Sequence, residues 1–330
     1  MNEKPIRWAV VGTGVIANQM AQALQSMGRT LDGVANRTHD KALSFASKYG
    51  VKKVYDHLDD VFEDPEIDVI YLTTPHNTHL PYLKKALASG KHVLCEKSIT
   101  LNSGELEEAA ELAKENGVFL AEAMTIYHMT LYRRLLEIID SGRLGKVNLV
   151  QLNFGSYKDY DMNNRFFNRN LAGGAMLDIG VYALSLARLF LDSAPDQMAS
   201  FVKKAPTGVD ESAVISMANP EGQLVNITLS LHSKQPKRAV ISCEKGYIEI
   251  MEYPRADEAV IVDAQTGEKE IIHAGSTADA LCYELEDMEE AIRTGDDQIL
   301  RTGSTRDVMD LMTRLRQEWN VVYPEEEQGN

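Results

Sequence analysis

The sequence predicts an α/β protein of two domains: a doubly wound parallel sheet, then an α+β domain on a large, mostly antiparallel, open-faced sheet. Three observations predict it. The 330 residues exceed one average core and suit two. The first third alternates short apolar runs with helix-period segments, the pattern of a parallel sheet covered on both faces. After Ala121 the texture changes to longer stretches in which apolar and polar residues alternate, as half-buried strands require. The expected domains are therefore residues 1–121 and 122–330.

In the first domain the apolar runs are Ile6–Val11, Leu31–Ala35, Val69–Leu72, His92–Leu94 and Val118–Leu120. Between them the periodicity predicts helices at Val15–Met27, Lys41–Tyr49, Leu80–Ser89 and Glu105–Asn116. Gly28, Gly50, Gly90 and Gly117 each stand just past a helical segment, where a left-handed residue ends a helix. Asn102 with Glu105 three residues on forms a loose capping pattern. In the second domain a helix is expected at Thr130–Asp140, ending at the turn-rich SGRLG, and a last one near Thr305–Trp319. Strands are expected at Val147–Phe154, Ala213–Met217, Leu224–Leu231, Ala239–Cys243, Tyr247–Ile250 and Ala259–Val262. The acidic ending PEEEQGN is expected to be disordered.

Composition narrows the functional classes. With 44% apolar and 25% charged residues the chain reads as a globular protein. A formal net charge of −15 argues against nucleic acid as a partner, since phosphate backbones demand a basic face. Cys95, Cys243 and Cys282 lie in no metal-ligand or CxxC spacing and fit a reducing compartment. The first residues run straight into a strand, no apolar run approaches the ~18 residues of a membrane span, and a cytoplasmic location with no membrane partner is expected.

The segment after the first strand, Gly12-Thr13-Gly14-Val15-Ile16-Ala17, is a GxGxxA pattern between an apolar run and a helix. Gly12 permits a tight turn, Gly14 lets a diphosphate approach the backbone, and Ala17 allows close helix–strand packing. Alone the pattern is weak; in this context it predicts a dinucleotide site. An NAD-specific site carries an acid some 20 residues on, to bind the ribose 2′-hydroxyl. Here Asn36 and Arg37 stand instead. A carboxylate would repel a 2′-phosphate and a guanidinium binds it, so NADP is preferred, with NAD retained as the second choice. The plain alternative for Arg37 is a solvated surface charge.

The fourth strand ends TTPHNTH and the fifth CEKS. Ligands of open α/β sheets sit beyond the C-terminal strand edges, which puts Thr73, Thr74, Pro75, Asn77, His79, Glu96 and Lys97 on the cofactor side. His79 reads equally as a purely structural residue. HNTH lacks a third ligand for zinc, so no metal is expected.

Together these motifs resemble the Gfo/Idh/MocA oxidoreductase family. The residues that carry the likeness are GTGVIA at 12–17, TPHNTH at 74–79, ALASGKHVLCEK at 86–97 and LAGGAMLDIGVYAL at 171–184, spread over nearly the whole chain. The resemblance implies a Rossmann domain followed by a substrate-binding and oligomerisation domain on a large open sheet, and dimers or tetramers through that sheet. It implies NAD(P)-dependent oxidation or reduction of a sugar-like or diol substrate. Lys97 matches the family's catalytic lysine, and Asp178 and Tyr182 match the Asp and the His-or-Tyr of a second-domain helix. Tyrosine at that place is similar to the subgroup with dimeric dihydrodiol dehydrogenases, glucose–fructose oxidoreductase and NADP-dependent xylose dehydrogenases.

The chemistry explains the residue types. Hydride transfer to a carbonyl leaves an alkoxide-like oxygen, which wants a proton donor and a positive charge beside it. Tyrosine, with a pKa near 10, is a poor base until a nearby ammonium favours the phenolate. Asp178, four residues before Tyr182, falls on the same face of an α-helix and would orient substrate hydroxyls or the lysine. Outside the family pattern, the pair would pass for a helix N-terminal acid and a packing aromatic. Two departures stand out. Ser98 replaces the family's usual proline after the lysine, and residues 123–128 carry no arginine where many relatives have one. Tyr127, His128, Arg165 and Phe167, with Arg169, are the substrate-side candidates. Two other chemistries use the same scaffold: an NAD-assisted glycosidase with no net cofactor turnover, and a non-catalytic dinucleotide sensor.

Overall fold

The computed structural model describes residues 5–327. It forms two compact units. The first comprises the chain through Ala123 together with Leu281–Thr302; the second comprises Met124–Ala280 and the chain from Gly303 onward. The boundary near 121 thus moves by two residues, and a later segment, placed by sequence in the second domain, joins the first.

In chain order the first unit runs β1 (Trp8–Val11), α1 (Val15–Ser26), β2 (Gly33–Ala35), α2 (His39–Tyr49), β3 (Lys53–Val54), α3 (Asp60–Glu63), β4 (Val69–Leu72), α4 (His79–Ala88), β5 (His92–Glu96), α5 (Ser103–Glu115) and β6 (Leu120–Ala123). The sheet order is β3-β2-β1-β4-β5-β6, all parallel. The order reverses between β1 and β4, the switch point at which such sheets bind ligands. The four helix-ending glycines take φ between 65° and 71°. Asn102 caps α5 by accepting from the Glu105 N–H at 2.9 Å, and the Glu105 carboxylate accepts in return from Leu101 N–H at 2.9 Å.

The second unit follows with α6 (Thr125–His128), α7 (Thr130–Asp140), β7 (Val147–Gly155), a π-helical turn at Met176–Gly180 and α8 (Val181–Phe190). Then come β8 (Gln197–Lys204), β9 (Asp210–Ala218), β10 (Leu224–Ser230), β11 (Gln235–Cys243), β12 (Gly246–Met251), β13 (Glu258–Asp263) and β14 (Lys269–His273). The order β14-β13-β12-β11-β7-β10-β9-β8 is antiparallel except for the β10–β7 pair. Side chains alternate: Ala213, Ile215 and Met217 of β9 and Val225, Ile227 and Leu229 of β10 are buried on one face. α9 (Ala280–Thr294), α10 (Thr302–Glu318) and α11 (Pro324–Glu327) complete the chain.

α9 explains the return to the first unit. Leu281, Leu285, Met288 and Ala291 recur at helical spacing and lie in the same apolar cluster as Trp8, Met20 and Leu24. Each fully buried leucine or methionine among them contributes roughly 1.5–3 kcal/mol. Glu289 completes the seam: Trp8 Nε1 donates to it at 2.9 Å and Arg29 pairs with it at 2.6 Å.

Two expectations are corrected here. The acidic ending is not disordered through Glu327: residues 324–327 form α11, where Glu326 pairs with the buried Arg316 at 2.8 Å. Gln328–Asn330 lie outside the described residues. Second, Arg169–Phe190 is long and apolar enough by length and composition to span a membrane, contrary to the reading that no run approaches it. Of that apolar window 78% is buried inside the protein, as in a core helix.

Candidate functional site

The glycine turn is built as its chemistry demands. Gly12 follows β1 with φ 106°, and a Cβ there would come within 2.5 Å of Thr73 Oγ1. Its N–H donates to Ala35 O at 2.9 Å, while Thr73 N–H donates to Val11 O at 2.9 Å, so β2 and β4 clamp the turn from both sides. Gly14 is the residue before α1, and a Cβ on it would find nothing within 4 Å. The first turn of α1 holds no acidic residue and no side-chain cap. Its leading N–H groups, at Val15, Ile16 and Ala17, therefore face an open approach at the positive end of the helix. Val15 is 79% exposed and Ala17 fully buried, so the helix touches its sheet at Ala17 and shows its tip to solvent.

Asn18 is a support the sequence reading missed. Its Nδ2 donates to Gly14 O at 2.8 Å and Thr13 O at 3.2 Å, while its Oδ1 accepts from Tyr49 Oη at 2.7 Å and Lys48 Nζ at 3.0 Å. The signal was local: an Asn one position past the GxGxxA, able to reach back to carbonyls of its own loop. Asn36, expected at the ribose, donates from Nδ2 to Thr13 Oγ1 and accepts from Thr38 N–H at 3.1 Å. Arg37 is exposed, and among the described residues no hydrogen bond or ion pair holds its guanidinium.

Past β4, Thr73 and Thr74 are half-buried and Pro75 is exposed. Thr73 Oγ1 donates to Val11 O at 3.0 Å, and Thr78 Oγ1 lies 2.9 Å from Thr74 Oγ1. His76–Thr78, including Asn77, form a single tight turn leading into α4. His79 is fully enclosed. Its Nε2 lies 2.7 Å from Thr74 O, and its Nδ1 lies 3.1 Å from Ser98 O, 3.0 Å from Ile99 O and 3.4 Å from Cys95 Sγ. Burial pushes its pKa down, against the raising effect of those carbonyls, and pushes the Cys95 thiol up. Of the two readings offered for His79, the brace between the β4 and β5 loops is the one its surroundings build.

Lys97 follows β5 and is half-buried, and the Lys97–Ser98 peptide bond is cis. His76 Nε2 lies 3.0 Å from Lys97 O, and Ile99 N–H donates to Glu122 Oε1 at 3.1 Å, so the backbone around Lys97 is held from the turn before α4 and from β6. Glu96 accepts from the Tyr71 hydroxyl. Glu122 is a second support that sequence did not single out, hidden because a lone acid in a strand carries no pattern.

In the second unit, Asp178 and Tyr182 do not share one regular α-helix. Asp178 lies in the π-helical turn Met176–Gly180, and Tyr182 is the second residue of α8. Four residues fall short of a full turn where the helix is wider, so the expected i,i+4 alignment is rotated; such turns recur at functional positions. Tyr182 stands 6.1 Å, centroid to centroid, from Phe154 of β7, which meets Tyr253 edge-on at 5.9 Å. Lys237 Nζ lies 5.4 Å from the Phe154 ring centroid. Asp178 accepts from Arg165 Nη2 at 3.4 Å; the acid is 12% exposed and the arginine 61%. Arg165 also lies 4.4 Å over the ring of Phe166.

The other substrate-side candidates divide. Phe167 is fully buried against Tyr160 at 5.1 Å, so its surroundings give it a packing role in the loop. Tyr127 and His128 are buried on α6, whose first residue is anchored by Thr125 Oγ1 donating to Pro254 O at 2.8 Å. Arg169 turns to the chain's end, donating to Val322 O at 2.7 Å and pairing with Glu327.

A parallel sheet with this order, a glycine turn at the switch point and an uncapped helix tip defines a dinucleotide-binding protein. Comparison with known proteins identifies the class further. Residues 6–124 match the profile described as an oxidoreductase family with an NAD-binding Rossmann fold, and residues 132–249 match the Gfo/Idh/MocA C-terminal domain. The chain is 31% identical over 262 residues to the mouse trans-1,2-dihydrobenzene-1,2-diol dehydrogenase, covering 78% of each chain. The pig enzyme of the same name is 26% identical over 333 residues, covering 97% of this chain and 99% of that one. The fold matches a 3-ketoreductase from Actinomadura kijaniata, solved with NADP and TDP-benzene, at a TM-score of 0.84 and 21% identity over 95% of this chain and 98% of the other. A levoglucosan dehydrogenase solved with NADH and levoglucosan gives 0.83 at 16% identity over 97% and 99%. The chain belongs to the Gfo/Idh/MocA oxidoreductase family and is an NAD(P)-dependent oxidoreductase.

Proposed function

We propose that this protein is an NADP-preferring dehydrogenase or reductase whose substrate is a cyclic diol or sugar-like alcohol and its ketone. The observation that carries the reading is the open approach above Gly14, backed by the tip of α1, with the unpaired Arg37 at the end of the neighbouring strand. That donor set fits a dinucleotide: backbone N–H groups for the diphosphate, and a guanidinium with no acid beside it in Asn36-Arg37 for a 2′-phosphate. The relatives' names, with a dihydrodiol and sugars among the substrates, support the substrate class.

When bound, the nicotinamide supplies or accepts the hydride. Every other role falls to side chains of this chain. Tyr182 gives its hydroxyl proton to the oxygen that gains charge in reduction and takes it back in oxidation. Lys97 supplies a positive charge for the oxygen that gains charge in reduction. Asp178, with Arg165, orients the neighbouring hydroxyl. Lys97→Met tests the assignment: nucleotide affinity should stay within about twofold while turnover, read as reduced-nicotinamide absorbance with a panel of diols and sugars, falls at least ~100-fold. A variant as active as the parent removes Lys97 from the mechanism.

The outer face of the eight-stranded sheet exposes Phe201 (83%), Val214, Leu224, Met251 and Ile271. Phe201 and Val214 are directly paired on adjacent strands. Such a face is best covered by its own copy, so we read the protein as a homodimer, or a dimer of dimers. All three cysteines are free thiols, which suits the reducing cytoplasm.

A further inference from the structure

The segment Val321–Glu327, which includes α11, is tied to the loop that precedes Asp178. Arg316 of α10 has a side chain only 2% exposed, an expensive place for a guanidinium unless it is fully paired. Both terminal nitrogens are paired: Nη1 donates to Val321 O at 3.0 Å and to Glu326 Oε2 at 3.0 Å, and Nη2 donates to Glu326 Oε1 at 2.8 Å. Glu326 Oε2 also accepts from Tyr323 N–H at 2.9 Å, closing a small ring of bonds. The guanidinium lies 4.7 Å over the Tyr323 ring, and that tyrosine is fully buried.

From there the bonds run to the loop. Tyr323 Oη donates to Gly173 O at 2.7 Å, and Arg169, at the loop's other end, donates to Val322 O at 2.7 Å. Gly174 has φ 127° and packs on Asp210, leaving no room for a side chain. Asp210 in turn accepts from Met176 N–H at 2.5 Å, and Gly174 O accepts from Asp178 N–H at 3.3 Å. A shift of Gly173 therefore moves the carbonyl on which the π-helical turn, and with it Asp178, begins.

We propose that Tyr323 and Glu326 are positioning residues: the segment Val321–Glu327 sets the Gly173–Gly174 turn and so fixes where Asp178 and its partner Arg165 meet the substrate. This rests on the reading of Asp178 as the group that orients a substrate hydroxyl. A merely structural ending would stabilise the second unit without tuning substrate affinity.

The test uses Tyr323→Phe in the full chain, which deletes one hydroxyl and keeps the ring. Amide exchange across 165–178 should quicken at Asp178. The KM for substrate should rise about fivefold, the worth of one neutral hydrogen bond, while kcat and the affinity for NADPH change less than about twofold. Glu326→Gln, which keeps an acceptor for Arg316, should shift KM in the same direction by less and stands in if Tyr323→Phe does not fold. Unchanged exchange with unchanged KM overturns the proposal. So does a lower melting temperature with KM unmoved, the signature of packing alone. Absence of turnover in the parent enzyme with every diol and sugar tried would instead sink the functional reading, a result visible before any variant is made.

Discussion

Gly14→Ala separates binding from folding in a way the structure makes quantitative. Gly14 has φ −73°, which alanine adopts without strain, and the new Cβ would find nothing within 4 Å. Removing glycine's freedom from the unfolded chain favours the fold by about 0.4–1 kcal/mol. Alanine is the poorer residue before a helix, which costs about 0.5–1 kcal/mol. The two nearly cancel, so the ligand-free melting temperature should move by no more than a few degrees. The methyl group, however, fills the approach to the N–H groups of α1. At 100 times its Kd, NADPH stabilises the parent by about 2.7 kcal/mol, and most of that should vanish in the variant. Thermal unfolding with and without NADPH, beside a titration of nicotinamide fluorescence, reads both quantities. Gly12→Ala supplies the contrast. There φ is 106° and the Cβ would lie 2.5 Å from Thr73 Oγ1 and 3.2 Å from Thr73 O, so backbone strain and overpacking together cost roughly 2–6 kcal/mol without any ligand. A Gly14→Ala protein that binds NADPH like the parent would refute the placement of the diphosphate.

Arg37→Ala should weaken NADP by about tenfold or more while leaving NAD within about twofold, since only the 2′-phosphate meets the guanidinium; an unchanged preference in competitive titrations defeats that assignment. Burial pushes the Asp210 carboxyl up to about 6, despite the Met176 N–H it accepts from and the charge of Arg316. The folded state therefore holds this proton more tightly than the unfolded chain, and the stability it contributes at acid pH is lost as pH rises through about 6. Asp210→Asn carries no such titration, so its stability relative to the parent should improve between pH 4.5 and 7.5 by at most about 3 kcal/mol in denaturant midpoints. Parallel pH profiles for the two proteins would contradict it. Phe201→Glu with Val214→Glu should convert a dimer to a monomer in sedimentation analysis at micromolar concentration, and a parent that is already monomeric rejects the proposed interface.

Much of the architecture was legible because central elements carry their burial in their pattern. β1 and β4 are apolar throughout because both faces are covered, and β10 alternates because one face is. The strands that escaped, β3, β8 and β14, are all sheet edges. An edge strand buries less, so β8 tolerates Gln197, Ser200, Lys203 and Lys204 and shows no period to read. α9 was legible in principle, since Leu281, Leu285 and Met288 keep helical spacing, but its intervening acids masked them.

The candidate site divides along the same physical line. Local sequence determined the glycine turn, the missing acid at Asn36-Arg37 and the residue types at Lys97, Asp178 and Tyr182, because each depends on conformation or chemistry confined to a few neighbours. Only the tertiary structure decided that His79 is an enclosed brace, that Asn18 and Glu122 support the loops, that a π-helical turn separates Asp178 from α8, and that the acidic ending docks through Glu326 on Arg316. An isolated PEEE segment has too little apolar surface to order itself. It folds because a buried guanidinium elsewhere in the chain needs a carboxylate, and that requirement is written in no stretch of contiguous sequence.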